Sequence, residues 1–111
     1  MLIIDVKAGT EMYNGCFDDY YEILALFVKE LQANQNDLKS IKREGDLQQF
    51  KFLVHKIRGG ASYCSVPILS DLTKKIEESV GSGIEDQVDS LSSLIGQVID
   101  AFHGIKSMQD S

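Results

Sequence analysis

Apolar side chains between Asp18 and Arg43 fall at Tyr20, Leu24, Phe27, Leu31, Leu38 and Ile41, in steps of four and three, with Asn34 in the one gap. That period belongs to an amphipathic helix and excludes a strand, whose side chains alternate with period two. A single long helix over about 18–43 is expected, a break at Asn34-Gln35-Asn36 being the main alternative. Asp18 and Asp19 lie at the end where the helix dipole favours negative charge, Lys42 and Arg43 at the end where it favours positive charge, and Gly45 supplies the cap. Asp46 and Gln49 then have the spacing of a capping pair for a second helix. That helix, about 47–64, would bury Phe50, Leu53, Val54, Ile57, Ala61 and Cys64. Pro67 suits the first turn of a third helix, about 67–80, which buries Leu69, Leu72, Ile76 and Val80 before Gly81-Ser82-Gly83 ends it. The last helix, about 84–106, repeats Ile84, Val88, Leu91, Ile95, Val98, Phe102 and Ile105 in alternating fours and threes. Asp5 can cap a short segment over 6–13 that Asn14-Gly15 closes as a turn. Four amphipathic helices with short links make an all-α, antiparallel up-and-down four-helix bundle, with a short N-terminal helical segment.

Composition narrows the class without naming a function. The 111 residues, 43% hydrophobic and 25% charged, make one domain (1–111) large enough to bury its own core. A filled bundle needs no partner to cover it, so a monomer is expected. No apolar run is long enough to span a bilayer or to form a signal-peptide core. Two cysteines, Cys16 and Cys64, suit reduced thiols better than a disulfide framework. The net charge of −6 argues against nucleic acid or an acidic membrane surface as partner. The charge is unevenly placed, however. Residues 46–66 hold Lys51, Lys56 and Arg58 against Asp46 alone, and His55 lies among them. Three cations in such a stretch can also arise by chance.

Spacing makes that stretch more informative. With Phe50, Leu53, Val54, Ile57 and Ala61 turned inward, Lys51, His55, Arg58, Gly59 and Ser62 share the outer face, one turn apart. Gly59-Gly60 lies within the helix, where each glycine costs about 1 kcal/mol relative to Ala. For Gly60, nearer the core edge, tight helix packing explains the residue. Gly59 points outward one turn from His55, where the absence of a side chain lets another molecule approach the imidazole. A neutral imidazole is nucleophilic near neutral pH, and flanking cations stabilise a phosphoryl group. A carboxylate on Nδ1 would leave Nε2 free to attack. Glu77, on the antiparallel third helix at a comparable height, is the candidate, with solvated surface as the plainer reading. No phosphate-binding glycine loop occurs, so no site for phosphorylating His55 from ATP is visible. No Cys/His cluster has metal-ligand spacing, and no metal site is expected. His103, near the end of the last helix, fits the helix dipole and carries no further reading.

The stretch His55-Lys56-Ile57-Arg58-Gly59-Gly60-Ala61 resembles the core motif of histidine phosphotransfer (HPt) domains, which runs His, any residue, aliphatic, Lys/Arg, Gly, small, small. Gly45-Asp46, Leu69 and Ile76-Glu77 are similar to flanking positions of the family. Tyr63-Cys64-Ser65-Val66-Pro67 is similar to the variant at the C-terminus of BarA-type tripartite sensor kinases. Ser65 departs from the pattern, standing where the family often has Gly, so a differently built turn into the third helix is expected.

The resemblance, over roughly residues 3–105, implies a phosphocarrier rather than an enzyme with its own turnover. His55 would take a phosphoryl group from a receiver-domain Asp and pass it to another receiver Asp. Arg58 and Lys56 would steady its charge, and Glu77 would hydrogen-bond the imidazole. Lys51, Gly59 and Ser62 would form the docking strip. The implied partners are receiver domains of a hybrid sensor kinase and of a response regulator. No cofactor is implied for this chain, Mg²⁺ belonging to the receiver, and the implied setting is cytoplasmic. The alternative is a helical protein-interaction module that handles no phosphate.

Overall fold

The computed structural model describes residues 2–79 and 83–110, with side chains through 107. Five helices follow in order: α1 (Val6–Met12), α2 (Phe17–Glu44), α3 (Leu47–Tyr63), α4 (Pro67–Ser79) and α5 (Ile84–Asp110). The four long ones form an antiparallel bundle in which α2 packs on α3 and α5, and α4 on α3 and α5. The expected stripe accounts for this arrangement. Tyr20, Leu24, Leu31, Leu38 and Ile41 of α2 are buried with Phe50, Val54 and Ile57 of α3 and Leu91, Ile95 and Val98 of α5. Burial of such side chains is worth about 1.5–3 kcal/mol each and drives the helices together.

α2 is unbroken. Asn34 is buried on the stripe, and the helix keeps its register through the polar triplet around it. At 1.5 Å per residue its length is about 42 Å, matching the long axis of the molecule, 42 Å. Its partner α5 runs beyond the expected end at 106 to Asp110. The antiparallel register shows in three contacts: Lys42 Nζ to Asp89 Oδ1 at 2.8 Å, Gln35 to the Ser92 carbonyl, and Tyr21 stacked on Phe102.

The caps follow the sequence. Asp5 accepts from the Ala8 amide, and Asp46 from the Gln49 amide at 3.1 Å. Gly45 takes the left-handed conformation at φ 67° and donates its amide to Ile41. Val80, Gly81 and Ser82, expected at the end of the third helix and its terminator, lie outside the described residues.

Two expectations are corrected. Leu72 is only half-buried, and Thr73 takes the core position of α4 instead. Its hydroxyl donates to the Leu69 carbonyl at 2.8 Å, so a polar side chain enters the core already satisfied. Ile84 and Ile105, at the two ends of the α5 stripe, are also only partly buried, because fewer neighbours cover a stripe at its ends. The turn after α3 is made without glycine. Ser65 itself adopts the left-handed conformation at φ 55°, and the Val66 amide donates to the Ala61 carbonyl across it. That is a Schellman turn made without glycine. The Ser65 carbonyl accepts from the Asp5 amide at 2.9 Å, and Tyr20 donates to the Cys64 carbonyl at 2.7 Å. These two bonds hold the α3–α4 corner against α1 and α2.

Candidate functional site

Because α3 buries Phe50, Val54, Ile57 and Ala61, its opposite face must carry whatever lies half a turn away. His55 emerges there with 83% of its side chain exposed. Lys51, Lys56, Gly59 and Ser62 are exposed beside it, and Arg58 is partly so. Among the described residues neither Lys51 nor Lys56 has a recorded ion pair. Lys51, Val54, His55 and Glu77 line one shallow depression between α3 and α4.

α4 brings Glu77 to the imidazole. Its Oε1 lies 3.5 Å from Nδ1 of His55, and its Oε2 accepts from the Arg58 guanidinium at 3.0 Å. The first contact is long for a hydrogen bond and is chiefly electrostatic. Oε1 is itself buried and has no hydrogen-bond partner among the described residues. With Nδ1 turned toward α4, Nε2 is directed away from the carboxylate. The plainer reading of Glu77 as solvated surface therefore fails: its side chain is 27% exposed, with Oε2 bonded to Arg58 and Oε1 turned toward the imidazole. Ser62 is less free than a docking residue was expected to be, since its hydroxyl donates to the Arg58 carbonyl of its own helix.

The two glycines separate cleanly. A Cβ on Gly59 would meet nothing within 4 Å. A Cβ on Gly60 would run into the Phe27 ring of α2. Gly60 thus serves helix packing, whereas nothing in the fold asks for Gly59.

The family model described as the Hpt domain matches residues 22–106. The chain belongs to the Hpt domain family. No curated protein and no solved structure matches it. Hpt domains are phosphocarriers that act by histidine phosphotransfer in phosphorelays and interact with receiver domains. Among the described residues, no group of three or more His, Cys, Asp or Glu side chains is placed to hold a metal. No described helix of this Hpt domain is long and apolar enough to cross a membrane.

Sequence reasoning missed the apolar flank of the site. Phe52 is 72% and Tyr63 69% exposed on α3, and Leu26 57% on α2. Phe52, Lys56, Gly59 and Tyr63 follow at helical spacing, so this strip runs beside the one holding His55. Ile23, Leu26 and Tyr63 also rim a shallow groove between α2 and α3. Two aromatic residues on a face that should be polar were the available signal. The imidazole of the Hpt domain thus lies between a charged border on the α4 side and an apolar one on the α2 side.

Proposed function

We propose that His55 is the phosphoryl acceptor of this Hpt domain, taking the group from the Asp of one receiver domain and giving it to the Asp of a second. The observation that carries this reading is the position of the imidazole: open to solvent, beside a glycine with no packing role, and with a carboxylate at Nδ1. The Nε2 lone pair attacks phosphorus as the acyl-phosphate P–O bond breaks, and that electron pair returns to the receiver's carboxylate. The ring keeps its Nδ1 proton and gains positive charge, which Glu77 offsets. Lys51 and Lys56 make the surroundings cationic for the incoming phosphoryl oxygens. Mg²⁺ belongs to the receiver's acidic pocket. The receiver rests on the apolar flank formed by Phe52, Tyr63 and Leu26, and Gly59 lets its active face reach Nε2. A hybrid sensor kinase and a response regulator are the proposed owners of the two receivers. Catalysis here consists of positioning and charge stabilisation.

The test is to mix the protein with a phosphorylated receiver and follow the label. Acid-labile, base-stable label on the wild type, and none on His55→Gln at unchanged helical content, is the expected outcome. Label retained by His55→Gln overturns the assignment. Binding of the receiver with no transfer to the wild type would favour a plain interaction module.

A further inference from the structure

We propose that the groove between α2 and α3 receives one basic side chain, a Lys or an Arg, of the docking receiver, its stem among Tyr13, Leu26 and Tyr63 and its charged head at Glu30. This rests on the reading of His55 as acceptor and names what a receiver must bring to the surface beside it.

The groove encloses about 330 Å³, enough for one long side chain. Tyr13, Ile23, Leu26 and Tyr63 form its walls and Cys64 lies at its floor. Among the described residues Glu30 is the one charged group that lines it. Tyr13 follows directly on α1 and lies outside the residues 22–106 that match the family model, so this wall is an addition to the matched domain. It is held in place, because its hydroxyl donates to the Tyr63 carbonyl at 3.2 Å and the Asp5 amide ties the start of α1 to the Ser65 carbonyl.

Glu30 decides the chemistry of the occupant. It is exposed and has no ion pair among the described residues. The antiparallel register, with Cys64 Sγ on the Ile23 carbonyl and Gly60 against Phe27, puts Lys56 about level with Glu30, yet the two make no ion pair. The carboxylate charge is felt at the groove floor, where it opposes ionisation of the Cys64 thiol. An apolar side chain in the groove would strip water from Glu30 and return no hydrogen bond. Lys and Arg instead combine an apolar stem with a cationic tip, so the stem covers the rings while the head meets the carboxylate. The faces of Tyr13 and Tyr63 attract a cation as well.

The probe is a receiver domain loaded with acetyl phosphate, for which KM and kcat of transfer are measured, with calorimetry giving the Kd of its unphosphorylated form. Glu30→Gln and Tyr13→Ala, at unchanged helical content, should each raise KM and Kd about tenfold and leave kcat unchanged. Asp100→Asn, an equal change of charge at an exposed position on α5, should alter neither. When the Lys and Arg residues of the receiver are replaced by Met one at a time, one variant should show the same loss, with no further loss when it is combined with Glu30→Gln. An unchanged Kd in Glu30→Gln overturns the proposal. So does coupling of Tyr13→Ala to an apolar receiver residue instead of a basic one, since the groove then holds an apolar side chain. A wild type that binds the receiver and takes no phosphate defeats the phosphotransfer reading, and the Kd values alone then decide the groove.

Discussion

Gly59 and Gly60 are neighbours with opposite reasons for lacking a side chain. Gly60 faces Phe27, a core ring, and an added methyl group would have to displace it. Gly60→Ala should therefore destabilise the bundle by about 1–3 kcal/mol, the usual cost of overpacking. Gly59 faces open space, so Gly59→Ala should stabilise it by up to about 1 kcal/mol through helix propensity alone. Urea midpoints of the two variants check both signs. Gly59→Leu should keep the fold and slow phosphotransfer from a receiver at least tenfold, about 1.4 kcal/mol of barrier. Wild-type transfer rates in that variant would show that close approach is not what the glycine provides. The pattern His55, Arg58, Gly59 was legible from spacing because α3 repeats faithfully. Glu77 was legible as the carboxylate candidate for Nδ1, from its height on the antiparallel helix, but its contact with Arg58 was not, because it joins two helices.

At the scale of the element, the α3–α4 corner shows how a turn tolerates the wrong residue. Ser65 sits at φ 55°, where a side chain costs roughly 1–2 kcal/mol and glycine costs nothing. Its backbone bonds survive any side chain: the carbonyl accepts from Asp5, and the flanking Val66 amide reaches Ala61. Ser65→Gly should thus raise stability by about 1 kcal/mol, less whatever the freer unfolded chain takes back. A higher urea midpoint at unchanged slope is the expected result. The residue substitution was visible in the sequence. That the backbone keeps its left-handed turn regardless was not, since the Asp5 and Tyr20 bonds that brace the corner span the chain.

For the molecule as a whole, the corner buries two titratable groups, Cys64 and Tyr20. Burial, with Glu30 as a smaller cause, pushes the Cys64 thiol up to about 11. Burial likewise raises the Tyr20 phenol well above its ordinary value. Both groups are neutral in the folded bundle and ionise more readily in the unfolded chain. The Cys64 contribution is therefore complete below the ordinary thiol value of 9.0 and is lost as pH rises toward 11, and that of Tyr20 is complete below 10.0 and is lost above it. Urea midpoints should be level from neutral pH to about pH 9 and fall beyond it, and Cys64→Ala should lessen the fall. A thiol-alkylating reagent at neutral pH should modify exposed Cys16 and spare Cys64 until the protein unfolds, as peptide mass mapping would show.

The sequence by itself determined the helices, their caps and the inward stripe, because a 3.6-residue period and a capping side chain act within a few residues of themselves. It also determined which residues α3 turns outward, His55 among them, once the stripe was known. Only the tertiary structure decided what those residues meet. The bundle brought Glu77 between His55 and Arg58, put Thr73 rather than Leu72 in the core, and set Tyr63 beside Ile23 and Leu26 in a groove between α2 and α3. Contacts between helices depend on relative rotation and height, and many residue pairs along two amphipathic stripes satisfy the same period. Packing the whole core selects one of them.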